Sequence, residues 1–149
     1  MIFWTIISCL LIGADQLVKY WVVQGISPED CFRIIPGVLD FVYVKNTGAA
    51  FSIFSGRTGI LGILSIAFCI AVIVYTVVKK PGHPLMRGAL SLLFAGAVGN
   101  AMDRIARGYV IDFIQVTFVD FPVFNIADIC ITVGAVLLAV YLIFFDKES

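Results

Sequence analysis

Four stretches of the chain, residues 2–23, 58–78, 86–106 and 126–145, are long runs of Ile, Leu, Val, Phe, Ala and Gly in which charged side chains are scarce. A helix needs about 20 such residues to cross a hydrocarbon layer about 30 Å thick, so the pattern predicts four transmembrane helices. The polar residues inside or beside these runs are not scattered. Asp15 with Lys19, then Asn100 with Asp103 and Arg104, then Asn125 with Asp128, keep spacings of three or four, which place each set on one helix face.

The connectors have a different rhythm. VLDFVYVKN, residues 38–46, is rich in β-branched and aromatic side chains with partial alternation, and YVIDFIQVTFVDFPVF, residues 109–124, has the same character. Both connectors are expected on the outer face, where they would pair as a small sheet whose apolar residues suit a membrane surface. Pro28 and the Pro36-Gly37 pair mark turns, while Pro81, Gly82 and Pro84 interrupt the short connector at 79–87. There is no internal repeat and no low-complexity tract.

Composition strengthens the membrane reading: 61% of the 149 residues are hydrophobic and the mean hydropathy is +1.06, well beyond the roughly half-apolar make-up of soluble domains. The predicted fold class is an α-helical membrane protein, one four-helix bundle with a small extracytoplasmic β-rich platform and no room for a second domain. The first run has no basic residues ahead of it and no small-residue cleavage site, so it is read as a retained span rather than a signal peptide.

Charge changes the picture by position rather than by sum. Ten acidic and ten basic residues cancel, which gives no reason to expect nucleic acid. Lys79, Lys80 and Arg87 crowd the short connector and Lys147 sits in the tail, which places both on the cytoplasmic side, with both termini cytoplasmic. Against this stand Arg33, Lys45, Arg57, Arg104 and Arg107 around the long connectors, interspersed with Glu29, Asp30, Asp40, Asp112 and Asp120.

Charged groups at membrane depth usually pair, face a cavity or do chemistry. Asp15 and Lys19, in the favourable acid-first order, read as a structural ion pair. Arg104 and Arg107 could snorkel to the interface, but that leaves Asn100 and Asp103 unexplained. Asn125 suits an N-cap, with Asp128 favoured at a helix start. Asn46, beside Gly48 and two alanines, is either an ordinary turn or a point of close approach.

Asp112 sits among Val110, Ile111, Phe113 and Ile114, a setting that raises a carboxyl pKa. Two carboxylates brought together share one proton, leaving one as a base for water and the other as an acid. Asp112, Asp120 and Asp128 lack an adjacent cation, and local chemistry does not choose among them. The only histidine, His83, lies away from every polar stripe, which argues against a Ser–His–Asp set and against a metal site. The four cysteines, at 9, 31, 69 and 130, show no metal or redox spacing. A small proton-coupled transporter is the alternative, though residues 58–78 offer only Ser65 and Thr76 as clear polar groups for a through-path.

DQLVK at 15–19, NTGAAFS at 46–52, GNAMDR at 99–104, VIDF at 110–113 and FNIAD at 124–128, taken in order, resemble bacterial lipoprotein signal peptidase, also called signal peptidase II. The resemblance covers essentially the whole chain. It implies a membrane aspartic endopeptidase of the bacterial cytoplasmic membrane that cuts diacylglyceryl-modified prolipoproteins just before the lipidated cysteine, with its site near the extracytoplasmic face. It also implies that Asp112 and Asp128 are the catalytic pair and that Asp120 is a solvated loop charge. Asn46, Gly48, Asn100, Arg104 and Asn125 then line the substrate site, while Asp15, Lys19 and Asp103 support it. No metal, cofactor or obligate protein partner is expected, only the prolipoprotein and membrane lipid.

Overall fold

The computed structural model describes residues 2–48 and 57–146. Four helices, α1 (Ile2–Gly25), α2 (Thr58–Lys79), α3 (Pro84–Arg107) and α4 (Ile126–Phe144), are accompanied by three strands, β1 (Cys31–Ile35), β2 (Leu39–Asn46) and β3 (Val110–Val116). All four helices are long and apolar enough to cross a membrane, and their ends lie within two residues of those read from hydropathy.

The start of α3 shows why the small differences arise. Pro84, read as a loop residue, occupies the first turn, where a missing N–H costs nothing because that turn leaves it unpaired anyway. His83 supplies the cap, its Nδ1 accepting from the Leu85 N–H at 3.2 Å. The imidazole also packs against Tyr141 and Phe145 at the end of α4, with ring centroids 5.2 and 4.8 Å away. At the other end of α3, Gly108 takes a positive φ of 78° and returns its N–H to the Arg104 carbonyl.

α3 is the central helix, packed against α1, α2 and α4. Of its most apolar stretch 67% is buried, against 17–22% for the other three, which turn Ile, Leu, Val and Phe outward as hydrocarbon requires. Close approach depends on glycine. A Cβ at Gly96 would collide with the Ala127 carbonyl and come within 2.6 Å of Ile131 Cγ1; one at Gly99 would sit 2.8 Å from Asp15 Oδ2 and 3.1 Å from Ala127 Cβ. Small residues let helices meet where apolar burial alone provides no drive in lipid. Farther along the α1–α3 contact, the Ser8 and Ser91 hydroxyls lie 2.8 Å apart, both also bonded to backbone carbonyls.

The strands form one antiparallel sheet in the order β1-β2-β3. The pairing of the two long connectors follows the sequence reading, but β1 was not anticipated. It returns through the Pro36-Gly37 turn, where Gly37 has φ 73° and Val38 donates to the Ile35 carbonyl at 2.9 Å. One face of the sheet packs Ile111 and Phe113 onto Val22 near the end of α1. Phe32, Ile34 and Ile35 of β1, and Phe118, Val119 and Phe121 after β3, remain exposed. Phe124 bridges to Ile114 and delivers the chain to the start of α4.

Candidate active site

The first turn of α4 is built by a reciprocal cap. The Asn125 Oδ1 accepts from the Asp128 N–H at 2.9 Å, and the Asp128 Oδ2 accepts from the Asn125 N–H at 3.2 Å. This arrangement satisfies two otherwise orphaned helix donors and fixes the carboxylate in the same step. The capping expectation is met, and it does not exhaust either residue. The other oxygen of Asp128 accepts from Asn100 Nδ2 at 2.8 Å, and Asn125 Nδ2 donates to Asp112 Oδ1 at 2.7 Å.

Asp112 reaches this point from β3. The ladder sets Val44 opposite Asp112 and Asn46 opposite Val110, which puts the Asn46 side chain near enough to donate to Asp112 Oδ2 at 2.8 Å. Asp112 is only 2% exposed. Burial raises its carboxyl to about 6; the Asn46 and Asn125 donors and the Lys19 charge oppose that rise, while the neighbouring Asp128 charge adds to it. Two carboxylates from consecutive elements, β3 and α4, are thus joined through Asn125.

Behind them lies a buried charge network. The Lys19 Nζ is 2.8 Å from Asp15 Oδ2 and 2.8 Å from Asp103 Oδ2, and it donates to Asn100 Oδ1 at 3.3 Å. Asp15 also accepts the Ala127 N–H at 3.0 Å, placing a negative charge at the positive end of the α4 dipole. Asp103 accepts from Arg107 at 2.6 Å and from the Ile111 N–H at 3.2 Å, which ties α3 to β3. Removing one member of such a buried set leaves an uncompensated charge and costs about 3–5 kcal/mol.

Arg104 donates to the Gly48 carbonyl at 3.4 Å and feels the charges of both Asp128 and Asp112. Its buried Nε has no hydrogen-bond partner among the described residues. Gly48 in turn gives its N–H to Asn46 Oδ1 at 2.9 Å.

Every residue singled out in the sequence, namely Asn46, Gly48, Asn100, Arg104, Asp112, Asn125 and Asp128 with Asp15, Lys19 and Asp103 behind, falls at this one end of the bundle. Asp120 is exposed in the loop after β3. One reading changes: Arg107 is an ion-pair partner of Asp103, which also meets Lys19, instead of a free snorkelling cation. Gln16 was missed: its Nε2 bridges the Gly99 carbonyl at 3.2 Å, Asp15 Oδ2 at 3.3 Å and Asp103 Oδ1 at 3.4 Å. Its signal was the i, i+3 spacing to Lys19 on the same helix. Ala49 and Ala50, read with Gly48 as a close-approach run, and Lys147 lie outside the described residues.

Known proteins resemble this chain along nearly its whole length. The family model described as Signal peptidase (SPase) II matches residues 7–144. A lipoprotein signal peptidase of Lactobacillus johnsonii is 44% identical over 97% of this chain and 94% of its own length. One from Enterococcus faecalis is 37% identical over 100% of this chain and 92% of its own. A bacterial membrane enzyme solved by the in meso method at 2.3 Å superposes with a TM-score of 0.92 at 34% identity, covering 100% of this chain and 95% of that one.

Proposed function

Because the chain belongs to the signal peptidase II family of aspartic-type membrane proteases, we propose that Asp112 and Asp128 are its catalytic dyad. The substrate is a diacylglyceryl-modified prolipoprotein, cut just before the lipidated cysteine. The observation that carries this reading is the pair itself: a buried carboxylate from β3 and a half-buried one from α4, linked by the Asn125 side chain and surrounded by amide donors.

The chemistry follows from that environment. With one proton shared between them, the ionised carboxylate takes a proton from water as the water attacks the scissile carbonyl. The protonated partner assists the carbonyl oxygen and then gives its proton to the leaving amine. No covalent intermediate forms, and the protein's part is to hold both carboxylates and exclude competing water. Arg104, with a buried donor to spare, and Asn46, Gly48, Asn100 and Asn125 orient the peptide around the cut.

The site lies at the extracytoplasmic end of the bundle in the bacterial cytoplasmic membrane, with the Lys79–Arg87 connector and both termini cytoplasmic, as the distribution of positive charge supports. The acyl chains and signal helix of the substrate run beside the apolar faces of the bundle. The transporter alternative gives way because family membership points to hydrolysis. The test is Asp112→Asn and Asp128→Asn in the purified protein: each is expected to insert and fold yet lose cleavage by at least about 1,000-fold. Normal turnover by either variant removes that carboxylate from the dyad.

A further inference from the structure

Lys19 is fully buried, and its three N–H donors meet three acceptors: Asp15 Oδ2, Asp103 Oδ2 and Asn100 Oδ1. Neutrality does not require the third contact, since Asp15 and Asp103 are already balanced by Lys19 and Arg107. The third proton goes to an amide.

An asparagine amide has two ends of nearly the same shape, one accepting and one donating, and a half-turn exchanges them. An ammonium can only donate. Lys19 therefore holds the oxygen of Asn100 toward itself, reinforced by Asn125 Nδ2 at 3.2 Å, and turns the Asn100 NH2 toward Asp128 Oδ1. The other two amides at the dyad are held in the same way by groups that only donate. Asn46 Oδ1 accepts the Gly48 N–H, and Asn125 Oδ1 accepts the Asp128 N–H. Each leaves its NH2 aimed at Asp112. Those two locks are backbone groups; the lock on Asn100 is a side chain.

We propose that Lys19 is a positioning residue for the aspartic chemistry: its third N–H holds the Asn100 amide in the orientation that donates to Asp128, keeping that oxygen a proton-free acceptor. The proposal rests on the dyad reading above. A flipped Asn100 would present its own oxygen to Asp128, and the dyad's shared proton would be drawn in to bridge them. Among the described residues Asp128 interacts with the charges of Asp112 from β3, Arg104 from α3, and Asp15 and Lys19 from α1, with the Asp103–Arg107 pair of α3 behind Lys19, so loss of Lys19 also removes a nearby positive charge.

Lys19→Met alone strands the buried Asp15, since Asp103 keeps Arg107, so the informative variant is Asp15→Asn with Lys19→Met. It stays neutral and keeps an acceptor for the Ala127 N–H. Purified in detergent, it is compared with wild type for unfolding temperature, kcat, KM and the pH dependence of kcat, with rates normalised to folded protein. The expected result is an unfolding temperature well above that of Lys19→Met, a kcat about 100-fold below wild type, little change in KM, and an acid limb moved up by about one pH unit. Recovery of kcat and of the wild-type pH profile along with stability would overturn the proposal and leave Lys19 a structural ion.

If the pair of substitutions does not restore stability, combining it with Asn100→Ala decides the matter. A loss no greater than that of Asn100→Ala alone supports the lock, and additive losses refute it. Asp128→Asn in the same assay separates the two readings. Normal turnover there removes both the dyad and the lock, whereas an inert Asp128→Asn beside a fully active double variant removes the lock alone.

Discussion

Asp112 shows what the site costs the fold. Its carboxyl is raised to about 6 mainly by burial, so the folded protein holds a proton that the unfolded chain has released above about pH 4. The associated stability is fully present below that pH and is lost as pH rises toward and through about 6. At pH 7.5 the penalty for burying the charge is in place, at most about 3 kcal/mol. Asp112→Asn is therefore expected to melt above wild type at pH 7.5 and to converge with it near pH 4; an equal difference at both pH values contradicts this. Part of the residue-level picture was legible: the Asp15–Lys19 spacing, the Asn125 cap, and the apolar surroundings of Asp112. The pairing of Asp112 with Asp128 was not, because nothing along the chain ranks it above a pairing with Asp120. Only the resemblance chose between them. One of the two partners of Asp103 was hidden for a similar reason: Arg107 stands four residues along the same helix, but Lys19 comes from another helix.

At the scale of elements, the contact between α3 and α4 is set by glycines that the hydropathy pattern treats as mere apolar filler. Gly96→Ala drives a methyl group into the backbone of α4 at Ala127, one residue before Asp128, and is expected to cost about 1–3 kcal/mol. Because the strain falls on the first turn of α4, cleavage should fall with it. Gly88→Ala meets only the end of the Trp4 ring, at 3.3 Å, and should cost clearly less. Unfolding and cleavage measured on both variants check the order; equal effects would mean that helix separation does not position the site. The central place of α3 was likewise unread, although Gly88, Ala89, Ala95, Gly96, Ala97, Gly99 and Ala101 are the composition of a helix wrapped by protein rather than lipid. β1 escaped notice because five residues in a long connector carry too little alternation to be distinguished from a loop.

Across the whole molecule, polar chemistry collects at the sheet end, while Lys79, Lys80, Arg87 and the His83 cap occupy the other. With native cysteines replaced, a membrane-impermeant maleimide applied to intact spheroplasts is expected to label Phe118→Cys and to spare Lys80→Cys until the membrane is opened. The reverse pattern would invert the proposed orientation. The measurement that bears most directly on the account is cleavage of an authentic diacylglyceryl-modified prolipoprotein by purified protein, with wild type and Asp128→Asn side by side. The account predicts release of the signal peptide by the wild type and none by the folded variant; equal cleavage by both, or an intact substrate after incubation with well-folded wild type, would contradict it.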